Sequence, residues 1–125
     1  MATPSASMRE LARRLLAASR TAADPPVHEA VAVCETLRLA LTRFAGADGF
    51  AALLRRSLAL ARLEAPSLQS VRLGSNCHME GLEEVTPDAV VALAAHLLGL
   101  LMTFIGEPLT LRLVRDGWPG ASLDV

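Results

Sequence analysis

The sequence predicts an all-α fold: a single-domain bundle of about five helices around a buried apolar helix at 89–105. Three observations carry that prediction. The stretch Ala89–Ile105, AVVALAAHLLGLLMTFI, has no charge, and its only polar side chains are His96 and Thr103. The segments before it repeat apolar residues at three- and four-residue spacing, the period of a helix with one buried face. The breaks between segments are Asp24-Pro25-Pro26, Gly46, Pro66 and Gly106-Glu107-Pro108, residues that start and stop helices.

The first helix is expected from Ser7 to about Ala23. Ser7 and Glu10 form the S-x-x-E pattern of a capping box. Met8, Leu11, Leu15 and Ala18 make its apolar stripe, and Arg9, Arg13 and Arg20 lie on the opposite side. Three arginines are too few for a strong electrostatic footprint, so that side is expected to face water. Residues 1–6 are expected to be a loosely ordered tail.

Pro26 suits the first position of a second helix, since a proline disfavours helical geometry in the residue before it. Val27, Ala30, Val31, Cys34, Leu37, Leu41 and Phe44 recur on one side. Gly46 then ends that helix, Asp48 is placed to cap a third, and the short connection 46–49 suggests antiparallel neighbours. Phe50, Leu53, Leu54, Leu58 and Ala61 form the third stripe, with Arg55, Arg56 and Arg62 facing out. Pro66 closes it. Residues 67–85 are the least regular part. Gly74-Ser75-Asn76 signals a turn, which permits a short β-hairpin with Ser70–Leu73 and His78–Glu80 as arms in an otherwise loop-like segment.

Thr86 is a good N-cap, Pro87 suits the first helical position, and Asp88 is favoured in the first turn by the helix dipole. At about 100° per residue, Val90, Val91, Leu97, Leu98, Leu101, Met102 and Ile105 fall on a bulky side of the central helix. Ala89, Ala92, His96, Gly99, Thr103 and Glu107 fall on a small side, with Ala95 and Gly106 at its edge. The second and third helices are expected over the bulky side. In the last segment Leu109, Leu111 and Leu113 alternate as in a strand. Pro108 and Gly117 nevertheless frame a helix, and no clear partner strand exists, so a helix is expected there. The tail from Trp118, and 119–125 in particular, is expected to be loosely ordered.

A chain of 125 residues is long enough for one domain with a proper core. Its net charge of −1 gives no long-range attraction to nucleic acid or anionic membranes. Three phenylalanines and one tryptophan provide no stacking platform for single strands. All twelve basic residues are arginine and tyrosine is absent, a composition that fits a GC-rich bacterial genome. Within this chain, lysine Schiff bases and tyrosine acid–base steps are therefore excluded. The two cysteines, Cys34 and Cys77, form neither a disulfide framework nor a zinc-type spacing. No secretory signal is evident at the start, so a cytoplasmic location is expected.

Candidate chemistry is sparse. Asn76-Cys77-His78 joins a thiol to an imidazole, but adjacent loop residues rarely reach nucleophile–base geometry, and further metal ligands are lacking. His96 has no second ligand one or two turns away, unlike the paired carboxylates and histidines of bundle metal sites. No cofactor is expected. These absences point to a non-enzymatic helical interaction or assembly module, a small bacterial subunit or adaptor that binds itself or another protein. Two alternatives are a protein that inserts 89–105 into a membrane, and a small-ligand or metal binder using His96 or the Cys77-His78 loop. Seventeen residues lie at the lower edge of a bilayer span, and a central histidine is costly in lipid, which favours a helix buried in a soluble bundle.

The interface candidates are the small side of the central helix: Ala92, Ala95, His96, Gly99, Thr103 and Gly106. Glycine and alanine there allow close backbone approach, and a two-fold dimer is the simplest assembly. Exposed leucines such as Leu16, Leu39 and Leu63 offer a second route. The thiols provide a first test. Cys34, in mid-stripe, should resist a thiol reagent in the native state, whereas Cys77, in a polar loop, should react first. Rapid modification of Cys34 in folded protein would show that the phase of the second helix is misassigned.

Overall fold

The computed structural model describes residues 6–19, 29–73, 79–81 and 85–118. The elements are α1 (Ala6–Ser19), α2 (Glu29–Glu64), a 3₁₀ turn (Pro66–Ser70), β1 (Arg72–Leu73), β2 (Met79–Glu80), α3 (Pro87–Ile105) and α4 (Glu107–Gly117). The chain is a small helical bundle with α3 at its centre. α2 makes the most extensive contact with α3, α1 packs on both, and α4 packs against α2 and α3.

α3 begins as its sequence dictates. The Thr86 hydroxyl accepts a hydrogen bond from the Ala89 amide at 3.2 Å, Pro87 opens the first turn and Asp88 sits in it. From Ala89 to Leu98 every residue is buried except Val91, which is half-buried. That burial is supplied from several directions. Val33 and Cys34 of α2 meet Val90, Leu93, Ala94 and Leu97. Leu11, Ala12, Leu15 and Leu16 of α1 are all buried in the same core cluster. Leu16 is therefore not one of the exposed leucines; α1 docks through a face wider than the stripe of Met8, Leu11 and Leu15. Leu39 and Leu63 are exposed, at 59% and 70%.

Helix boundaries differ from expectation in instructive ways. α1 already includes Ala6, so the helix begins before Ser7. The expected extension of α1 to Ala23, the start of the second helix at Pro26, and the tails 1–5 and 119–125 lie outside the described residues. The second and third helices are joined by one residue. Gly46 alone leaves helical geometry, at φ 75 and ψ 169, and residues 47–49 are already helical. A positive φ is cheap for glycine and strained for any side chain, so a single residue can break the helix where a four-residue connection was expected. Asp48 consequently sits within the helix and caps nothing. Gly106, at φ 90, forms a similar one-residue corner between α3 and α4.

The segment after α2 carries more structure than its composition suggests. β1 pairs antiparallel with β2, Arg72 opposite Glu80 and Leu73 opposite Met79, so the hairpin exists with shorter arms than expected. Ser70 belongs instead to the 3₁₀ turn. Arg62 does not face out. Its Nε donates to the Leu68 carbonyl at 3.3 Å and its Nη2 to the Val71 carbonyl at 2.5 Å. The Leu68 carbonyl also accepts from the Val71 amide at 3.1 Å, so Arg62 ties α2 to a turn that is already hydrogen-bonded. The hairpin returns so closely that a Cβ at Gly81 would lie 2.1 Å from the Ser70 carbonyl oxygen. Trp118 departs from expectation as well. Only 8% exposed, it closes the core, and its amide donates to the Val114 carbonyl at 3.0 Å.

Two leucines test the packing. Leu98 is fully buried, so Leu98→Ala should cost about 2–5 kcal/mol, as for other buried leucines. Leu39→Ala should cost well under half as much, because most of that side chain already lies in water. Denaturant melts of both variants measure the difference, and equal losses would contradict the phase of α2.

Candidate functional site

Two features of α3 separate it from a plain core helix: a polar junction at His96 and an uncovered face beyond it. The junction joins three helices. Glu64 is the last residue of α2, where the helix dipole disfavours a carboxylate. Arg9 lies in the first turn of α1, where the dipole disfavours a cation. Each residue corrects the other's position. Arg9 Nη1 donates to Glu64 Oε2 at 2.7 Å and Nη2 to Oε1 at 2.8 Å, a two-pronged fork. His96 Nε2 lies 3.4 Å from the same Oε1, its ring only 5% exposed. The Arg9 hydrogen bond holds the Glu64 carboxyl below its ordinary range, burial opposes that shift, and His96 adds a smaller contribution in the same direction as Arg9.

The junction corrects the expectation of a solvated arginine stripe on α1. Arg9 turns inward to Glu64, Arg13 stays on the surface 3.6 Å from Glu10, and Arg20 lies outside the described residues. The arrangement is a structural tie. Arg9 has committed both prongs of its fork, His96 is buried, and no group of three His, Cys, Asp or Glu side chains among the described residues could hold a metal ion. Cys77, His78 and His28 lie outside those residues. The crevice beside Cys34, about 10 Å³ and lined by Val33, Val90, Leu93, Ala94 and Leu97, is apolar and holds nothing larger than a water-sized group.

The six residues singled out on the small side fall into two groups. Ala92, Ala95 and His96 are buried at 1%, 0% and 5% by the chain itself. α1, 14 residues and about 21 Å long at 1.5 Å per residue, contributes to that cover through Leu11, Ala12, Leu15 and Leu16. Gly99 and Gly106 are half-buried, and Thr103 is exposed. The cover thus ends one turn past His96. Beyond it, Gly99 and Thr103 lie beside half-buried Leu100 and Phe104, which is 58% exposed. At roughly 100° per residue these four span an arc of about 140°. The arc has no charge. The Thr103 hydroxyl donates to the Gly99 carbonyl at 3.2 Å, which removes one donor from the surface.

Glu64, Leu100 and Phe104 were not singled out from the sequence. The dipole at the end of α2 marks Glu64 as needing a cation, but not which one. The exposure of Leu100 and Phe104 depends on where the covering helices stop, and no local pattern records that.

Glu64 makes the junction pH-dependent. Because its carboxyl is held below the ordinary value of about 4.3, the fork contributes fully above that value. The contribution is lost as pH falls through the lowered value. Arg9→Met should cost about 1 kcal/mol at neutral pH, since the pair is a quarter to a third exposed. The gap between wild type and variant should shrink on acidification. Melts from neutral pH to pH 3 measure it, and a gap independent of pH would refute the assignment.

No family model, curated protein or solved structure matches this chain, so its functional reading rests on the geometry above.

Proposed function

We propose that the protein is a non-enzymatic helical interaction or assembly module that docks through the open end of α3. One observation carries this reading. Half-buried Gly99 and Leu100 and exposed Thr103 and Phe104 form an uncharged, part-open face on a helix that is closely covered from Ala89 to Leu98. Scattered apolar residues on a surface need no explanation. Leu100 and Phe104, set beside Gly99 and Thr103 on one arc of the most apolar helix, form an uncharged patch of the kind that marks interaction sites. An exposed phenylalanine is also the type of anchor that interfaces favour.

A second reading has one observation in its favour. Pro87–Ile105 is 19 residues long with mean hydropathy 2.0, long and apolar enough by length and composition to cross a membrane. Against it, 56% of that stretch is buried within the fold, where it serves as core. Flotation with neutral and anionic lipid vesicles separates the two readings, and insertion of the native protein would favour the second.

An apolar fluorescent dye tests the docking face directly. Dilute protein, shown to be monomeric by sedimentation, should bind the dye, and Phe104→Glu should abolish most of that binding without lowering the melting temperature. Phe104 is mostly in water already, so the substitution leaves the core intact. A monomeric sample that ignores the dye, or a Phe104→Glu variant that binds it equally, would overturn the docking reading.

A further inference from the structure

We infer that the second half of α2 is a further docking surface, separate from the open end of α3, and that it receives an acidic helix of another protein. Between Asp48 and Glu64 the only charged residues are Arg55, Arg56 and Arg62. Arg62 commits its guanidinium to the carbonyls of Leu68 and Val71. Arg9, Arg13, Arg14 and Arg38 each pair with a glutamate of this chain. Arg55 and Arg56 differ from all of these. Both are exposed, and among the described residues neither has a hydrogen-bond or ion-pair partner.

The two arginines flank an apolar track. At about 100° per residue, Arg55, Ala59, Ala52, Leu63 and Arg56 follow one another across an arc of about 100°. All of them are exposed, Leu63 at 70%. Ala52, Ala59 and Leu63 form the middle of the arc, about 16 Å long at a rise of about 1.5 Å per residue, with one arginine on either side. Asp48, about two turns before Arg55, and Glu64, held by Arg9, bound this basic stretch at its ends. The alanines keep the track low between two long side chains. A second helix can therefore lie along it and pack against Leu63.

Charge names the occupant. A helix on this track meets a guanidinium on each flank at nearly the same height, and carboxylates are the groups that complement both. Adjacent residues of a helix stand about 100° apart, as Arg55 and Arg56 do, so two neighbouring carboxylates straddle a contact line in the same way. No described helix of this chain carries two neighbouring carboxylates. Glu10, Glu35 and Glu64 stand singly and are already paired with arginines of their own chain. A second copy does not supply the match, so the partner is a different protein. An anionic membrane fits less well, because Leu63 is the one large apolar side chain on the arc and gives little to bury among acyl chains. Two arginines are likewise too few to hold nucleic acid.

The probe is a synthetic helical peptide of about 20 residues, long enough to hold a helix, with an alanine–leucine stripe straddled by neighbouring glutamates. Its counterpart with arginine in place of glutamate is the control. Both are titrated into the intact protein and followed by fluorescence anisotropy. The glutamate peptide should bind with an affinity that falls as salt is raised, and the arginine peptide should not bind. Arg55→Glu together with Arg56→Glu should weaken binding about tenfold or more, because like charges then face each other. Leu63→Ala keeps both arginines and should weaken binding by about threefold or more through loss of the apolar contact. These positions are exposed, so the variants should melt with the wild type. Phe104→Glu should leave the peptide affinity unchanged, whatever the dye experiment says of the α3 face. A glutamate peptide that does not bind, or that binds the doubly substituted protein equally, overturns the surface. Loss of binding in Phe104→Glu places the peptide on α3 and overturns it too. Sedimentation with phosphatidylglycerol vesicles completes the test. Vesicle binding that needs Arg55 and Arg56, without peptide binding, overturns the helical partner in favour of anionic lipid.

Discussion

A helix with no charge between Ala89 and Ile105 has no side it can safely turn to water, and the rest of the molecule answers that constraint. Ordinary surface helices need one apolar stripe covered. α3 needs cover nearly all round, and among the described residues α1, α2, α4 and the 3₁₀ turn supply it. From Ala89 to Leu98 that cover is nearly complete; over the last turns it closes the side of Leu101 and leaves the side of Thr103 and Phe104 open. The transition falls at His96, where the three longest helices meet around the carboxylate of Glu64. The same constraint explains the one-glycine corners. Gly46 and Gly106 change the chain's direction without spending residues on loops, which leaves more of a short chain available as helical cover.

The tie at Glu64 and the open face stand in a simple relation. Burying His96 requires a polar partner, and the Glu64 carboxylate, itself paired with Arg9, supplies it. Past this point the exposed groups of α3 are a glycine, a threonine bonded to its own backbone, a leucine and a phenylalanine. None of them demands a polar partner. The polar and apolar parts of one helix side are thereby sorted along its length, the polar part sealed within the chain and the apolar part left outside.

Much of the architecture was legible because local chemistry decides it. Thr86-Pro87-Asp88 starts α3 through capping and dipole effects that act within one turn, and the alternating leucines of α4 yielded to the proline and glycine that frame them. Gly46 was readable as a break. Its sharpness was not, because composition does not distinguish a one-residue corner from a short loop. Partners distant in sequence were also invisible. Arg9 looked like part of a solvated stripe, Arg62 like an outward charge, and Trp118 like the start of a tail, yet each is drawn inward by groups its own neighbours do not reveal. The small side of α3 was recognised by its residues, but which half of it would stay open depended on how far α1 reaches.

The fork between Arg9 and Glu64 also orders events in time. The two residues are 55 positions apart, and His96 is later still. On a ribosome α1 emerges first, yet the carboxylate and the helix it docks on are made long afterwards. A 14-residue helix is marginal on its own in water. The earliest of these helices therefore has no fixed place until Glu64 and α3 arrive, and until then Leu11, Leu15 and Leu16 are apolar surface without a home.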